Sequence, residues 1–224
     1  MRKIALRLMI GALVLAVSGL ATPIVITNPG FDDNPASKTA PAFYYPIGYA
    51  AGPYQDCGVG CIAPWTLTSG NVDWVPNTLW QAQNGTWSLD LNGDTAGALT
   101  INLGDQAAGT YDLSFYMSRN PGSQSDVQMQ VQAGALGPWT FTFSGGNSLE
   151  SMNYQLKTQD FVWAGGAMSI TFSSLVPSGG AGPVLDNVSL SIRDAEGVPE
   201  PGTLWTLLSG AGLLGVAFAL RRKR

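Results

Sequence analysis

The sequence predicts an all-β domain, an antiparallel two-sheet β-sandwich of jelly-roll-like form, flanked by an N-terminal signal helix and a C-terminal transmembrane helix. Three observations predict it. Apolar residues alternate with Ser, Thr, Asn, Gln or Asp in run after run, Gly- and Pro-rich turns separate the runs, and no stretch of the body repeats apolar residues at helical spacing. A closed barrel fits the same alternation, because it too would bury the strand edges.

The first element is a leader. Arg2, Lys3 and Arg7 precede an apolar run from Leu8 to Val17, interrupted only by Gly11, and Gly19-Leu20-Ala21 places small residues at the spacing a signal peptidase reads. A run of about ten apolar residues is short for a membrane span and suits a secretory core. Residues 1–21 are therefore expected to be a signal peptide, with the mature chain beginning near Thr22; an uncleaved anchor is the other reading.

The body, residues 22–193, carries the strands. Alternation is clearest at Leu99-Ile101-Leu103, Tyr111-Leu113-Phe115-Met117, Val127-Met129-Val131, Trp139-Phe141-Phe143, Met168-Ile170-Phe172 and Val188-Leu190-Ile192. Polar residues between them fit sheets with one wet face. Asn92-Gly93-Asp94, Asn120-Pro121-Gly122, Gly145-Gly146-Asn147 and Ser178-Gly179-Gly180 punctuate the runs as turns, the first of them as a hairpin. From Thr22 to Val198 four basic residues face fourteen acids, about −10, against −4 for the whole chain. Such a surface repels phosphate backbones, which argues against a nucleic-acid partner.

Residues 31–64 differ in kind. They hold five prolines and the aromatics Phe43, Tyr44, Tyr45, Tyr49 and Tyr54, as expected of a long insertion over one end of the sandwich. Cys57 and Cys61 lie four apart within it. An exported chain without histidine favours a disulfide between them over a metal site.

Little in the body points to catalysis. Without histidine there is no Ser-His-Asp or Cys-His arrangement, and the remaining route is a carbohydrate-active hydrolase built on a carboxylate pair. A structural calcium is the cofactor to consider. Asp32 and Asp33 follow the first strand, Asp186 stands at the last one, and neighbouring strands would bring these hard oxygen donors together. Turn capping without metal is the competing account of the same acids. Trp139 and Trp163 fall in phase with core residues, whereas Trp65, Trp74, Trp80 and Trp87 cluster among short strands and loops. Trp65, Trp74, Trp80, Tyr44 and Tyr45 are the candidates for stacking on a sugar ring, with core packing as the alternative for each.

The last elements are a linker at 194–202 containing Val198, Pro199, Glu200 and Pro201, an uncharged apolar span from Thr203 to Leu220, and Arg221-Arg222-Lys223-Arg224. Eighteen helical residues span about 27 Å, close to the hydrocarbon thickness, and the terminal cations place that end in the cytoplasm.

This order of Pro-Glu-Pro, span and basic end resembles the PEP-CTERM sorting signal of Gram-negative bacteria. The resemblance implies recognition by an exosortase-like processing enzyme, transient residence in the inner membrane, and delivery to the cell surface or the exopolysaccharide matrix. Asn28-Pro29-Gly30-Phe31-Asp32, the segments 65–74 and 84–93, and Leu185-Asp186-Asn187-Val188-Ser189-Leu190 together resemble the DUF642-related, choice-of-anchor C proteins. That resemblance implies a galactose-binding-like jelly roll with a structural calcium held by Asp32 and Asp186. The expected function is a non-enzymatic surface or matrix protein, with polysaccharide as a candidate ligand.

Overall fold

A computed structural model describes residues 21–33, 62–123, 125–177 and 179–193, together with the backbone of 45–48. Residues 1–20 of the expected signal peptide, Tyr44, the Tyr45 side chain, Cys57 and Cys61 with their expected disulfide, the linker with Val198 to Pro201, the span and the basic end lie outside the described residues.

Twelve strands follow one another: β1 (Ala21–Ile24), β2 (Tyr45–Gly48), β3 (Thr66–Ser69), β4 (Asn71–Pro76), β5 (Trp87–Asp90), β6 (Ala98–Gln106), β7 (Gly109–Arg119), β8 (Val127–Ala133), β9 (Leu136–Phe143), β10 (Gln155–Trp163), β11 (Gly166–Ser174) and β12 (Pro183–Arg193). They form two antiparallel sheets. One has the order β10-β7-β12-β5-β4-β2, with β1 also paired to β12; the other runs β3-β6-β11-β8-β9. The inward residues of the two sheets meet in one core, in which the Phe115 ring stands edge-on to Phe172 at 5.1 Å and to Phe141 at 5.0 Å. Burying this aromatic and aliphatic surface, at roughly 25 cal/mol per Å², is what opposes the entropy of ordering the chain.

All six alternating runs become strands with the apolar set turned to the core, fully buried except for the partly buried Leu103, Trp139, Phe141 and Ile192. The hairpin expected at Asn92-Gly93-Asp94 is a different object. Asp90 Oδ1 accepts the Asn92 N–H at 2.9 Å and Asn92 bridges to Ala96, but the turn leads from β5 in one sheet to β6 in the other. It is a corner between sheets, not a link between paired strands.

The outer face of the β12 sheet is only partly open. Val75, Trp80, Met152 and Val184 form a small second cluster there, joined by Leu79 and Tyr154, so the 77–86 and 147–154 segments lie over it. β12 is flanked by β7 on one side. On its other side two short strands share the edge: β5 pairs with Val184 and Leu185, β1 with Leu190 through Arg193. Between them the β12–β7 register shifts at Asp186/Ser189, and the freed Val188 N–H donates to the Pro29 carbonyl at 3.0 Å.

Candidate metal centre

That irregular stretch of β12 is where the sequence-predicted acids meet. Three segments converge on it: the 28–33 turn after β1, the 81–86 loop before β5, and residues 186–188 of β12. The turn is a strained one. Asn28 and Phe31 have φ of 54° and 63°, and Asn187 across from them has 49°, three of the four non-glycine residues with positive φ among those described. A bulky residue such as phenylalanine rarely adopts this conformation, and strain of this kind gathers at functional sites.

The turn is held from within. Asn28 Oδ1 accepts the Asp33 N–H at 2.9 Å, Asn28 Nδ2 reaches the Ala63 carbonyl, and the Phe31 ring is fully buried against Trp65 at 5.3 Å. Trp65 Nε1 donates to the Asn28 carbonyl at 2.9 Å, and Trp74 Nε1 to the Phe31 carbonyl at 3.0 Å. Here the stacking expectation is corrected. Trp65 and Trp74 are each 1% exposed and Trp80 is 4% exposed, the last donating to Ser88 Oγ at 2.9 Å. Their faces are spent on protein: Trp74 stacks on Trp87 at 4.1 Å, and none can meet a sugar ring.

Asp32 and Asp186 are brought together. Asp32 Oδ1 accepts the Thr86 N–H at 2.6 Å and the Thr86 hydroxyl at 3.0 Å. Asp186 Oδ2 accepts the Gln83 and Asn84 N–H groups at 2.7 and 3.2 Å, while Asp186 Oδ1 is buried with no hydrogen-bond partner at all. Burial pushes the Asp186 carboxyl up to about 7 and the nearby Asp32 charge pushes the same way, against the backbone donors at Asn84, Gln83 and Asn187. A buried oxygen without a partner is costly unless something positive faces it.

The space it faces is defined by a glycine. A methyl group on Gly30 would lie 3.1 Å from Asp32 Oδ2, 3.5 Å from Asp186 Oδ1 and 3.6 Å from the Asn84 carbonyl oxygen. Three oxygens from three segments thus surround one small volume that Gly30 leaves open. Gly85 closes the other side with φ +67°, where a Cβ would fall 1.9 Å from Asp32 Oδ2. Among the described residues no three acidic, cysteine or histidine side chains gather into a metal site. The set here is two carboxylates and a carbonyl, hard donors that fit calcium and leave further positions for water. A calcium ion there would supply the charge that Oδ1 lacks and would tie three segments together.

Gly30, Asn84, Gly85 and Asn187 were not singled out as site residues from the sequence. The Asn-Gly step at 84–85 and the Asp-Asn step at 186–187 are the signals that mark them, both being residue types that tolerate positive φ.

Residues 24–191 match a family described as a protein of unknown function (DUF642), and residues 197–223 match the PEP-CTERM protein-sorting motif. Halomucin of Haloquadratum walsbyi is 31% identical over 131 residues, a match covering 58% of this chain and 1% of halomucin, so the chain spans a very small part of that relative. Among solved structures, the Stig cyclase Fisc from Fischerella sp. TAU superposes with a TM-score of 0.53 at 16% identity, covering 79% of this chain and all of the cyclase. A family 35 carbohydrate-binding module from Clostridium thermocellum reaches 0.42 at 15% identity, covering 56% of this chain and 90% of the module. The cyclase likeness shows the fold alone, and the second is too distant to add to it.

Proposed function

Because the chain belongs to the DUF642 family and ends in a PEP-CTERM protein-sorting motif, we propose that it is a non-enzymatic protein of the cell surface or extracellular matrix. It is delivered by an exosortase-type enzyme and contacts neutral polysaccharide there. The observation that carries this reading is the sorting motif at residues 197–223. Calcium at Asp32 and Asp186 is part of the reading as a structural ion that fixes the 28–33 turn.

The buried tryptophans leave the ligand surface to be found elsewhere, and the open face of the five-stranded sheet supports the polysaccharide class. Asp105 is the one charged residue in its five strands. Outward positions are hydroxyls and amides in register: Thr100 stands between Thr66 and Thr171, and Gln130 between Ser173 and Thr140. Thr100 and Thr171 share a hydrogen bond at 2.8 Å, and Gln128 Nε2 donates to Thr142 Oγ1 at 3.2 Å. On a strongly acidic domain this is a neutral plane of donors and acceptors, matched to an uncharged hydroxyl-bearing chain.

A hydrolase has less to stand on. Asp73 and Asp90 face each other across β4 and β5, yet Asp90 is fully buried and Asp73 is 8% exposed, so no sugar ring reaches between them.

Affinity electrophoresis through gels containing the producing bacterium's own matrix polysaccharide tests the ligand. Gln130→Glu and Thr171→Glu place charge on the plane and should abolish retardation; undiminished retardation would exclude this face. Mass spectrometry of the mature C-terminus tests delivery, and an intact Arg224 on the surface-exposed protein would contradict it.

A further inference from the structure

The neutral plane of the five-stranded sheet does not end flat. Beyond Ser173 the β11–β8 ladder continues for one more rung, where the Leu175 N–H donates to the Gln128 carbonyl at 3.0 Å, and Gln128 stands opposite Thr142. The last row of the plane is therefore Leu175, Gln128 and Thr142, an apolar side chain beside an amide and a hydroxyl. A cavity of about 400 Å³, open to solvent, lies over this row. Pro177 after β11, with Ser125 and Asp126 before β8, completes its walls.

The lining divides by chemistry. Leu175 is 39% exposed, among the few large apolar side chains left in water, and with Pro177 it forms one apolar wall. The polar side is positioned but not used up. Gln128 Nε2 donates to Thr142 Oγ1 at 3.2 Å, and the Ser144 hydroxyl donates to Asp126 Oδ2 at 2.6 Å. Those bonds fix the amide and the carboxylate. Among the described residues they leave Gln128 Oε1, Asp126 Oδ1 and the Thr142 hydroxyl proton without a partner. Arg119 is committed behind the wall, to the Ser125 carbonyl at 2.9 Å and Asn147 Oδ1 at 3.1 Å, and no cation lines the cavity.

We propose that this cavity is an end subsite, which takes the terminal unit of an uncharged polysaccharide lying on the sheet face; the inference rests on the polysaccharide reading of that face. An apolar wall with a few placed polar groups is the usual make-up of a small-molecule site, and the volume is at the small end of the range for such sites. It fits the end of a chain and not its length. An internal sugar unit carries linkages on two sides and lies flat, whereas a terminal unit has a free edge that enters a walled recess. Its C–H face meets Leu175 and Pro177, and its free hydroxyls donate to Asp126 and Gln128. A carboxylate in the wall, with no cation beside it, turns away acidic sugars.

The test is affinity electrophoresis through the matrix polysaccharide, with and without short oligosaccharides released from it by mild acid. The oligosaccharides are rich in chain ends, so they should free the unsubstituted protein from the gel. Asp126→Ala should weaken that inhibition about tenfold, the loss of one charge-assisted hydrogen bond. Leu175→Asp should abolish it. Asp126→Asn keeps the shape of the side chain and should weaken inhibition with no change in Tm. Undiminished inhibition in all three variants would overturn the end subsite and leave the sheet face standing, as would retardation that the oligosaccharides never relieve. No retardation of the unsubstituted protein would overturn the polysaccharide reading and this subsite together.

Discussion

The Trp74 indole donates a hydrogen bond to the Phe31 carbonyl at 3.0 Å, on the residue immediately before Asp32. A tryptophan from the middle of β4 therefore fixes the backbone that presents Asp32, the ligand proposed for calcium. Trp74→Phe keeps most of the packing and strands that carbonyl without a donor, at a cost of about 1–3 kcal/mol. It should also weaken calcium binding, although Trp74 is no ligand. A calcium titration followed by Tm reads both effects, and unchanged calcium affinity would mean that the turn holds its shape without the indole.

Chelation should destabilise the protein. An ion that binds only the folded state contributes about 2.7 kcal/mol when present at a hundredfold its dissociation constant. Thermal unfolding should accordingly move upward with added calcium and fall with chelator. Asp186→Asn should remove the response owed to the Asp32–Asp186 site, and Asp32→Asn should do the same.

The two glycines at this site should behave differently. Gly30→Ala puts a methyl group among Asp32 Oδ2, Asp186 Oδ1 and the Asn84 carbonyl, so it should lose calcium while the chelated protein melts nearly as before. Gly85→Ala also forces a side chain into a backbone at φ +67°, a penalty of about 1–2 kcal/mol that persists without calcium. Comparing the two in chelator separates cradle from backbone.

Arg193 ties β12 to its neighbours, pairing with Asp112 of β7 and, at 2.6 Å, with Asp160 of β10. The Arg193 guanidinium holds the Asp160 carboxyl below its usual 3.8. A folded value below the unfolded one means stability that is present above 3.8 and is lost as the pH falls through the folded value. Asp160→Asn should therefore lower Tm slightly at neutral pH and match the unsubstituted protein once the pH has fallen below the folded value. The pair is exposed, so high salt should also erase the difference.

The long strands were legible because their buried faces alternate with wet ones. β10 was not, and its pattern explains why. Leu156 and Val162 point to solvent while Lys157 and Gln155 reach over the sheet edge to the carbonyls of Thr142 and Ser144, so only Phe161 and Trp163, at its end, report an inward face. Tryptophans among short strands were misjudged for a related reason. Spacing cannot tell an indole that closes the core under a turn from one that lies on top of it, and Trp65 and Trp74 do the former. Asp32 and Asp186 could be paired in advance only on the condition that the first and last strands are neighbours, which the β1–β12 register now satisfies. Asp73 and Asp90 gave no such handle, since their meeting depends on the β4–β5 register, which no residue pattern announces.

The position of β12 has a mechanical consequence. It lies inside its sheet, with β7 along one side and β1 beside Leu190 to Arg193 on the other. A pull on the chain beyond Arg193 loads those ladders along the strand, so their hydrogen bonds must shear together instead of peeling away one at a time. A domain tugged from that end would resist as a rivet does, and the calcium proposed at Asp186 would sit within the loaded strand.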